Sequence, residues 1–381
     1  MKALRAVRSR QLSVPVPEAT LKSRIVQLQD GKPTDLAPPE EELLAARSLG
    51  ESGFDFDAVE TNARIDFWQL GDLGPVTTDE PLELAVFDRF HREKRKKLRT
   101  RELPRSLPEN ALVRVNPTLY FACPELIVTQ MAARLSVPQL VQLIMELCGY
   151  YTLGPIASPQ SRPRYQIPPV TTIDRIARYL SFVKVRGGAK KLREALGLAM
   201  EGSASPGETR VAMMMSIPSE LGGYGFPKPA LNATLAVPER ELGRVAGERY
   251  ELDAFWQDAR TDLEYESTEF HLDPLSAASL VAARDRDPNA DPEAVMRRRE
   301  LIAKADADRR RLRDLQYLGI RVVPVTPFDL RDVRRMDQVA YALAANAIPD
   351  ERDFEDWAAD LEDLAYSSLR EYLLRCIMQV R

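Results

Sequence analysis

The chain has 381 residues, of which 44% are hydrophobic and 29% are charged, and its formal net charge is −4 at pH 7. This length predicts two or three domains, and the composition is typical of a soluble globular protein. The absence of an apolar run of about 18 residues argues against a membrane-spanning helix. The slightly negative net charge does not favour nucleic-acid binding by the whole molecule, although local basic patches can still bind nucleic acid.

Histidine and cysteine are scarce, which excludes several kinds of site. The two histidines are His91 and His271, and the three cysteines are far apart without CxxC or CxxH spacing. A disulfide framework and a Cys-rich or His-rich zinc site are therefore excluded. Any chemistry must depend on carboxylates, lysines, hydroxyls or a bound metal.

The N-terminal part is predicted to hold a small α+β module. Residues 1–45 are polar and proline-rich, which predicts an extended segment, and the basic N-terminus lacks the apolar core of a signal peptide, which predicts a cytoplasmic location. Within a module at 46–153, residues 81–90 and 111–122 read as strands, and PELIVTQMAARL and VPQLVQLIMELCGYYTL read as helices.

Between the two predicted strands, residues 91–105 carry eight lysines and arginines among fifteen residues, including Lys94, Arg95, Lys96 and Lys97. One interpretation is a solvated loop. The other is a patch that contacts phosphate, which this density of positive charge supports.

A proline-rich linker is predicted at 154–172, followed by a larger domain at 173–347 and a C-terminal helix at 348–381. Helices are predicted on both sides of Gly187–Gly188. A further helix opens at Ser205, because Ser205 suits an N-cap, Pro206 suits the first turn and Glu208 has the spacing of a capping box. Three consecutive methionines at 213–215 are predicted to fill the core, and 221–235 reads as a glycine- and proline-rich loop.

The next segments, 250-YELDAFW-256 and 261-TDLEYES-267, predict a hairpin that carries unusual negative charge. A four-residue loop pairs Trp256 with Thr261, which sets Asp253 opposite Glu264 and Glu251 opposite Glu266. Strand alternation then puts these four carboxylates on one face.

Like charges that face each other across two strands destabilise the sheet, by up to about 1 kcal/mol per pair. A hard divalent cation, Mg²⁺ or Mn²⁺, bound by carboxylate oxygens would remove this repulsion. The alternative is a solvent-exposed acidic face that serves solubility. Glu251 is expected to point to solvent.

After the hairpin, the sequence predicts a basic helix from about 292 to 318, a strand in GIRVVPVTPF, and helices at 329–346 and 352–379. The first of these helices has the pattern D-x2-R-x3-L-x3-G, formed by Asp308, Arg311, Leu315 and Gly319. Asp308 and Arg311 also have the spacing of an ion pair on a helix surface.

Taken in order, Ser205-x2-Glu208, Asp253, Glu264-x-Glu266, His271 and the helix with Asp308 and Arg311 resemble the PD-(D/E)XK nuclease superfamily, in the branch similar to very-short-patch-repair endonucleases. The resemblance covers about residues 200–330. It implies an α/β fold class (α+β overall), with a restriction-endonuclease-like mixed sheet flanked by helices and preceded by the smaller N-terminal domain. It also implies hydrolysis of DNA phosphodiester bonds with Mg²⁺ or Mn²⁺.

By this resemblance, Asp253 and Glu264 are the primary metal ligands, and Glu208 lies beside the metal. Glu266 helps to align the attacking water, while His271 and Arg311 contact phosphate or polarise that water. The chain departs from the family at Glu266, where lysine is common, and at Ser267, where glycine is usual. Lys304, one helical turn before Asp308, is a candidate replacement cation. The basic helix 297–313, with Lys304, Arg309 and Arg311, and the 91–105 patch are expected to contact the DNA backbone.

The N-terminal part resembles the region attached to such domains in antitoxin-like bacterial proteins, which implies a partner protein of a defence or toxin–antitoxin system. Three functions therefore stay open. They are a metal-dependent DNA endonuclease, a non-catalytic DNA-binding or antitoxin-like regulator on the same fold, and an interaction protein whose acidic face binds a basic partner. Two of the site residues also have a purely structural alternative: Glu208 completes only the helix capping box, and His271 is only a turn residue.

Overall fold

The structure of the chain is a computed structural model. It describes residues 24–29, 32–36, 81–86, 94–103, 107–108, 111–116, 119–154, 163–183, 187–266, 292–348 and 350–379, together with Arg5 and Thr78.

Thirteen strands lie within these described ranges. They are β1 (Arg24–Gln29), β2 (Lys32–Leu36), β3 (Leu82–Val86), β4 (Lys94–Arg95), β5 (Leu98–Glu102), β6 (Leu112–Asn116), β7 (Leu119–Ala122), β8 (Tyr151–Thr152), β9 (Arg164–Tyr165), β10 (Ala230–Ala236), β11 (Arg249–Trp256), β12 (Thr261–Tyr265) and β13 (Arg321–Val325).

Nine α-helices lie in the same ranges. They are α1 (Pro124–Met131), α2 (Val137–Leu147), α3 (Ile173–Phe182), α4 (Ala189–Leu198), α5 (Pro206–Ser216), α6 (Pro292–Tyr317), α7 (Val333–Ala347), α8 (Glu351–Glu362) and α9 (Leu364–Gln379). Short 3₁₀ turns occur at Ser219–Leu221, Glu239–Glu241 and Asp329–Arg331. The expected class, α/β with an α+β character overall, is confirmed at this level.

The chain divides into two compact units. The first comprises Met1–Leu21, Glu41–Glu201 and Arg381, and the second comprises Lys22–Glu40 and Gly202–Val380. The second unit therefore takes strands β1 and β2 from the N-terminal region, which the sequence analysis did not predict. No helix in the described part of the chain is both long and apolar enough to cross a membrane.

The first unit combines small sheets with four helices. Strands β3, β5 and β4 form one sheet, and β6–β7 and β8–β9 form two hairpins. Helix α2 follows the N-cap residue Ser136, whose N–H donates to Gln139 Oε1 (3.0 Å) as in one half of a capping box. A core of buried apolar side chains, including Leu126 and Tyr179, packs beneath these elements.

Within the basic segment 91–105, the described residues 94–103 include two strands, so the interpretation as a loop is corrected for them. Lys94–Arg95 pairs antiparallel with Leu98–Arg99, and Lys96 and Lys97 form the exposed turn between the two strands. The pairing follows from the short turn, which brings two extended segments into hydrogen-bonding distance.

The second unit is built on a six-stranded mixed sheet in the order β13-β12-β11-β10-β1-β2. The pairs β12–β13 and β1–β10 are parallel, and the other neighbours are antiparallel. Its core contains Leu235, Leu252, Phe255, Leu315 and Ile320, so that helix α6 packs on the sheet through its last turn.

Two expectations for this unit were wrong in part. The predicted loop at 221–235 contains most of β10, because pairing with β11 on one side and β1 on the other stabilises an extended backbone that Pro227 and Pro229 concealed. The predicted helix at 352–379 is two helices, because the Asp363 carboxylate accepts the Ala365 N–H (2.6 Å) and so caps the start of α9. The methionines at 213–215 are fully buried, as predicted.

The sheet pairing yields a first prediction. Val26 lies in an interior strand and pairs with Leu235 on β10 and with Asp35 on β2. Val26→Pro removes a ladder N–H that an interior strand needs. Amide exchange in residues 233–236 should become at least about tenfold faster, because about 1–2 kcal/mol of local stability is lost.

Hydrogen exchange measured by mass spectrometry checks this prediction. Val26→Ala is the matched control, since it shortens the same side chain and keeps the N–H. Equally slow exchange at residues 233–236 in both variants would show that β1 does not protect β10.

Candidate functional site

The acidic hairpin forms with the predicted register. Ala254 pairs with Leu263, Phe255 with Asp262 and Trp256 with Thr261, and residues 257–260 make the turn. Just beyond the last pair, the Tyr265 N–H donates to Asp253 Oδ2 (2.9 Å). The Asp253 carboxylate therefore links β11 to β12 itself.

Asp253 lies among other carboxylates. Burial raises its pKa well above the usual range, and the negative charges of Glu208 and Glu264 raise it further. The Tyr265 N–H and the positive charge of Arg311 act in the opposite direction. Asp253 therefore lies within the electrostatic influence of Glu208 and Glu264, the two other residues that were predicted as metal ligands.

Helix α5 delivers Glu208 to this cluster from its first turn. Ser205 Oγ accepts the Glu208 N–H (3.1 Å), so Ser205 caps the helix as expected. At position 207 a Cβ atom would lie 2.0 Å from the Tyr265 ring, so only glycine lets α5 approach β12 this closely. Burial raises the pKa of Glu208, against the hydrogen bonds that it accepts.

Asn232 holds the Glu208 carboxylate, and the sequence analysis missed it. Its Nδ2 donates to Glu208 Oε2 (2.8 Å) and to the Gly202 carbonyl (2.9 Å). Its backbone has a φ of +47°, the left-handed region that asparagine tolerates better than most residues. In the sequence, Asn232 is marked only as a polar residue within the otherwise largely apolar strand ALNATLA.

Arg311 supplies positive charge to the cluster from helix α6. Its guanidinium forms an ion pair with Glu264 and donates to the Glu251 carbonyl. Burial by itself lowers the pKa of Arg311, but the hydrogen bond and charge of Glu264 and the charges of Asp262 and Asp253 raise it overall. Arg311 therefore contacts both strands of the hairpin, Glu264 on β12 and the Glu251 carbonyl on β11.

Asp262 is a second residue that the sequence analysis missed. It is fully buried on β12, and its Oδ1 accepts the Ala254 N–H (3.1 Å). Burial, followed by the charges of Glu264 and Asp253, raises its pKa well above the usual range. Strand alternation could have found it, because Asp262 stands two residues before Glu264 and shares its face.

The other candidates lie in different surroundings. Glu251 is exposed, as predicted, and accepts from Thr234 Oγ1 (2.8 Å). Glu266 is partly exposed and its N–H donates to the Val325 carbonyl (2.8 Å).

For the basic candidates, Arg309 is exposed on α6, and Lys304 lies on the same helix. Residues 94–97 belong to the first unit. His271 and Ser267 lie outside the described residues.

The donor set suits a hard cation, because Glu208, Asp253, Asp262 and Glu264 present only carboxylate oxygens. Asp262 Oδ2 is buried, and a hydrogen bond with the Glu264 carboxyl is one cause of the raised pKa of Asp262, so a proton shared by the two carboxyls satisfies this oxygen. No three acidic, histidine or cysteine side chains in the described ranges are already gathered with metal-binding geometry, and Arg311 is the cation that contacts Glu264.

No protein-family model, curated protein or solved structure matches the chain.

The buried charge yields a prediction for the metal-free protein. A carboxyl whose pKa is raised on folding binds protons more tightly in the folded state, so the free energy of unfolding falls as pH rises from the unfolded pKa through the folded one. Asp253→Asn cannot ionise, so it avoids this pH-dependent fall in the free energy of unfolding, and it keeps an oxygen that accepts the Tyr265 N–H. With chelator at about pH 7.5 its Tm should be several degrees above the parent's, at about 2–4 °C per kcal/mol.

The same measurement near pH 4, about the ordinary pKa of aspartate, should show a much smaller difference, because Asp253 is then largely protonated when folded and about half protonated when unfolded. Asp258→Asn in the exposed turn is the control for removal of one charge. A Tm for Asp253→Asn at or below the parent's at about pH 7.5 contradicts the prediction.

Asn232 yields a separate prediction. Asn232→Asp keeps the shape and the tolerance for positive φ, but replaces an amide donor by an acceptor that faces Glu208 Oε2 and the Gly202 carbonyl. Losing these hydrogen bonds should lower the free energy of unfolding by about 1–3 kcal/mol in chelator at neutral pH.

Thermal unfolding by circular dichroism measures this change. Asn232→Gly, which keeps the backbone geometry and adds no repulsion, should lose less stability than Asn232→Asp. If Asn232→Asp unfolds at the parent's temperature, Asn232 does not hold Glu208 in solution.

Proposed function

We propose that the chain is a divalent-metal-dependent DNA endonuclease whose site lies in the second unit, on a PD-(D/E)XK-like scaffold. The observation that carries this proposal is the approach of α5 and β12 to Asp253: Gly207, beside Glu208, packs against the Tyr265 ring, and the Tyr265 N–H, beside Glu264, donates to Asp253. Three carboxylates brought together by three separate elements are costly for stability, which favours a functional reason for their presence.

The order of elements supports the scaffold. Helix α5 with Ser205 and Glu208, the hairpin β11–β12, helix α6 with Arg311 and strand β13 follow one another as the resemblance implies. The hairpin is antiparallel and β13 then adds in parallel beside β12, which makes the mixed sheet that such nucleases are expected to have.

Asp253 and Glu264 would hold Mg²⁺ or Mn²⁺, with Glu208 beside them. When bound, the cation supplies Lewis-acid stabilisation of the charge that develops on the phosphodiester and activates a water molecule. The chain itself does the positioning: Tyr265 fixes Asp253 through its N–H, and Asn232 fixes Glu208.

The remaining candidates have roles in orientation and in backbone binding. Arg311 lies at Glu264, where its charge would contact a phosphate oxygen. Glu266 follows the last residue of β12, two positions after Glu264, and would help to align the water. Arg309, exposed on α6, would bind the DNA backbone through charge, which contributes affinity without sequence specificity.

A non-catalytic DNA-binding regulator is the second candidate, and the contact of Arg311 with Glu264 is the observation that favours it. A guanidinium that already neutralises Glu264 does the electrostatic work for which a metal would otherwise be needed. Such a protein would keep its basic helix and bind DNA without help from a cation.

Incubation of the protein with supercoiled plasmid tests the proposal. The parent with Mg²⁺ or Mn²⁺ should nick the plasmid, and chelator should stop it. Even residues behind metal ligands typically contribute about 10–100-fold, so Asp253→Ala and Glu264→Ala should lose at least about 100-fold in rate. Asp253→Asn keeps an oxygen that accepts the Tyr265 N–H and should therefore fold, so its loss of cleavage cannot be attributed to unfolding.

Asp258→Ala removes an exposed acid from the same hairpin and should cleave like the parent. Equal, chelator-resistant activity in all variants would overturn the site. Plasmid binding without cleavage, unchanged by Mg²⁺ and by Asp253→Ala, would instead support the regulator, and that binding should weaken steeply with salt.

A further inference from the structure

Two adjacent lysines, Lys96 and Lys97, form the whole turn between β4 and β5 in the first unit, and both side chains are exposed. Two-residue hairpin turns favour asparagine, aspartate and glycine, because the preferred turn types need a positive φ. Neither lysine has a positive φ, so this turn uses a backbone that most residue types can adopt. The geometry of the turn therefore does not explain why lysine stands at both positions.

The surroundings of the two lysines do not explain them either. No carboxylate in the described part of the chain forms an ion pair with Lys96 or Lys97. Lysine on an edge strand can prevent a sheet from pairing with another chain, and β4 lies at an edge of its sheet. That role needs a charge within the strand, whereas these two lysines lie in the turn beyond it.

Two arginines lie beside the turn, and one carboxylate holds both of them. Glu83 on β3 stands in register with Arg99 on β5, and Glu83 Oε1 lies 3.7 Å from Arg99 Nη1. Arg134, in the connection between α1 and α2, donates from Nη1 to the same oxygen (2.8 Å). All three side chains are exposed. A guanidinium has five N–H donors, so each arginine keeps donors for a further acceptor.

The lysines and the arginines form one positively charged surface, because Arg99 stands about 7 Å along the strand from Lys97. Guanidinium groups match the geometry of phosphate oxygens, and ammonium groups contact phosphate as point charges. DNA carries one phosphate charge about every 1.7 Å along its axis, so neighbouring cations can contact several phosphates at once. The large apolar side chains that the described residues expose lie elsewhere in the chain, which favours contact with phosphates over stacking on bases.

We propose that this hairpin surface, formed by Lys96, Lys97, Arg99 and Arg134, binds the phosphate backbone of DNA. It adds a binding surface on the first unit to the residues of the second unit that the proposed function uses, and it rests on that function only for DNA as the partner. Binding here needs no metal ion, so it serves the nuclease and the regulator alike. Contacts with phosphates contribute affinity without sequence specificity.

Fluorescence anisotropy of a labelled DNA duplex, measured in chelator over a series of salt concentrations, tests the proposal. Lys96→Gln/Lys97→Gln removes two charges from an exposed turn, so the variant should fold. At low salt its Kd should rise by about tenfold or more, and the slope of log K against log salt should become shallower by about two. Arg134→Gln should make the slope shallower by about one. The matched control, Arg334→Gln/Arg335→Gln, removes two exposed charges from α7 and should bind like the parent.

The outcomes separate the hairpin surface from the nuclease. An unchanged Kd and salt slope in Lys96→Gln/Lys97→Gln would overturn the hairpin surface, and so would an equal loss in the control, because net charge alone would then explain the effect. Tighter binding of labelled poly-glutamate than of the duplex would assign the surface to an acidic protein and overturn the proposal. If the parent binds no duplex in chelator, the hairpin surface is overturned, while Mg²⁺-dependent nicking of plasmid would still support the nuclease.

Discussion

The concentration of negative charge at the β11–β12 hairpin is the constraint on which the second unit depends. Asp253, Asp262 and Glu264 come from adjacent strands, and Glu208 joins them from a helix, so each carboxylate makes the ionised form of its neighbours less favourable. Backbone N–H groups, one amide side chain and one guanidinium offset part of this repulsion. A packed core of apolar side chains in the same place would avoid this repulsion.

The surrounding elements are arranged to hold these charges in place. Gly207 lets the N-terminus of α5 approach β12, and Asn232 accepts a left-handed backbone within a strand so that its amide reaches Glu208. Strained or closely packed positions of this kind persist where the fold over-determines them, often at functional sites. Arg311 reaches the same cluster from α6, so two helices and the hairpin contribute charged side chains to it.

Local rules were sufficient for much of the fold and for part of the site. The register of β11–β12 followed from the length of its turn, and the start of α5 followed from Ser205 and Pro206. These rules failed where partners distant in sequence decide the outcome. Strand β10 was read as a loop because its proline-rich approach dominated the local pattern, while its two strand neighbours lie far away along the chain.

The sequence by itself determined that histidine and cysteine are too scarce for a zinc site built from them, and that Asp253 and Glu264 come from paired strands. Only the tertiary structure decided which other groups face them. Burial, not residue type, singles out Asp262, and a helix that packs on the sheet brings Arg311 to Glu264. Charge interactions depend on distance and on exclusion of water, and neither can be read from spacing along the chain.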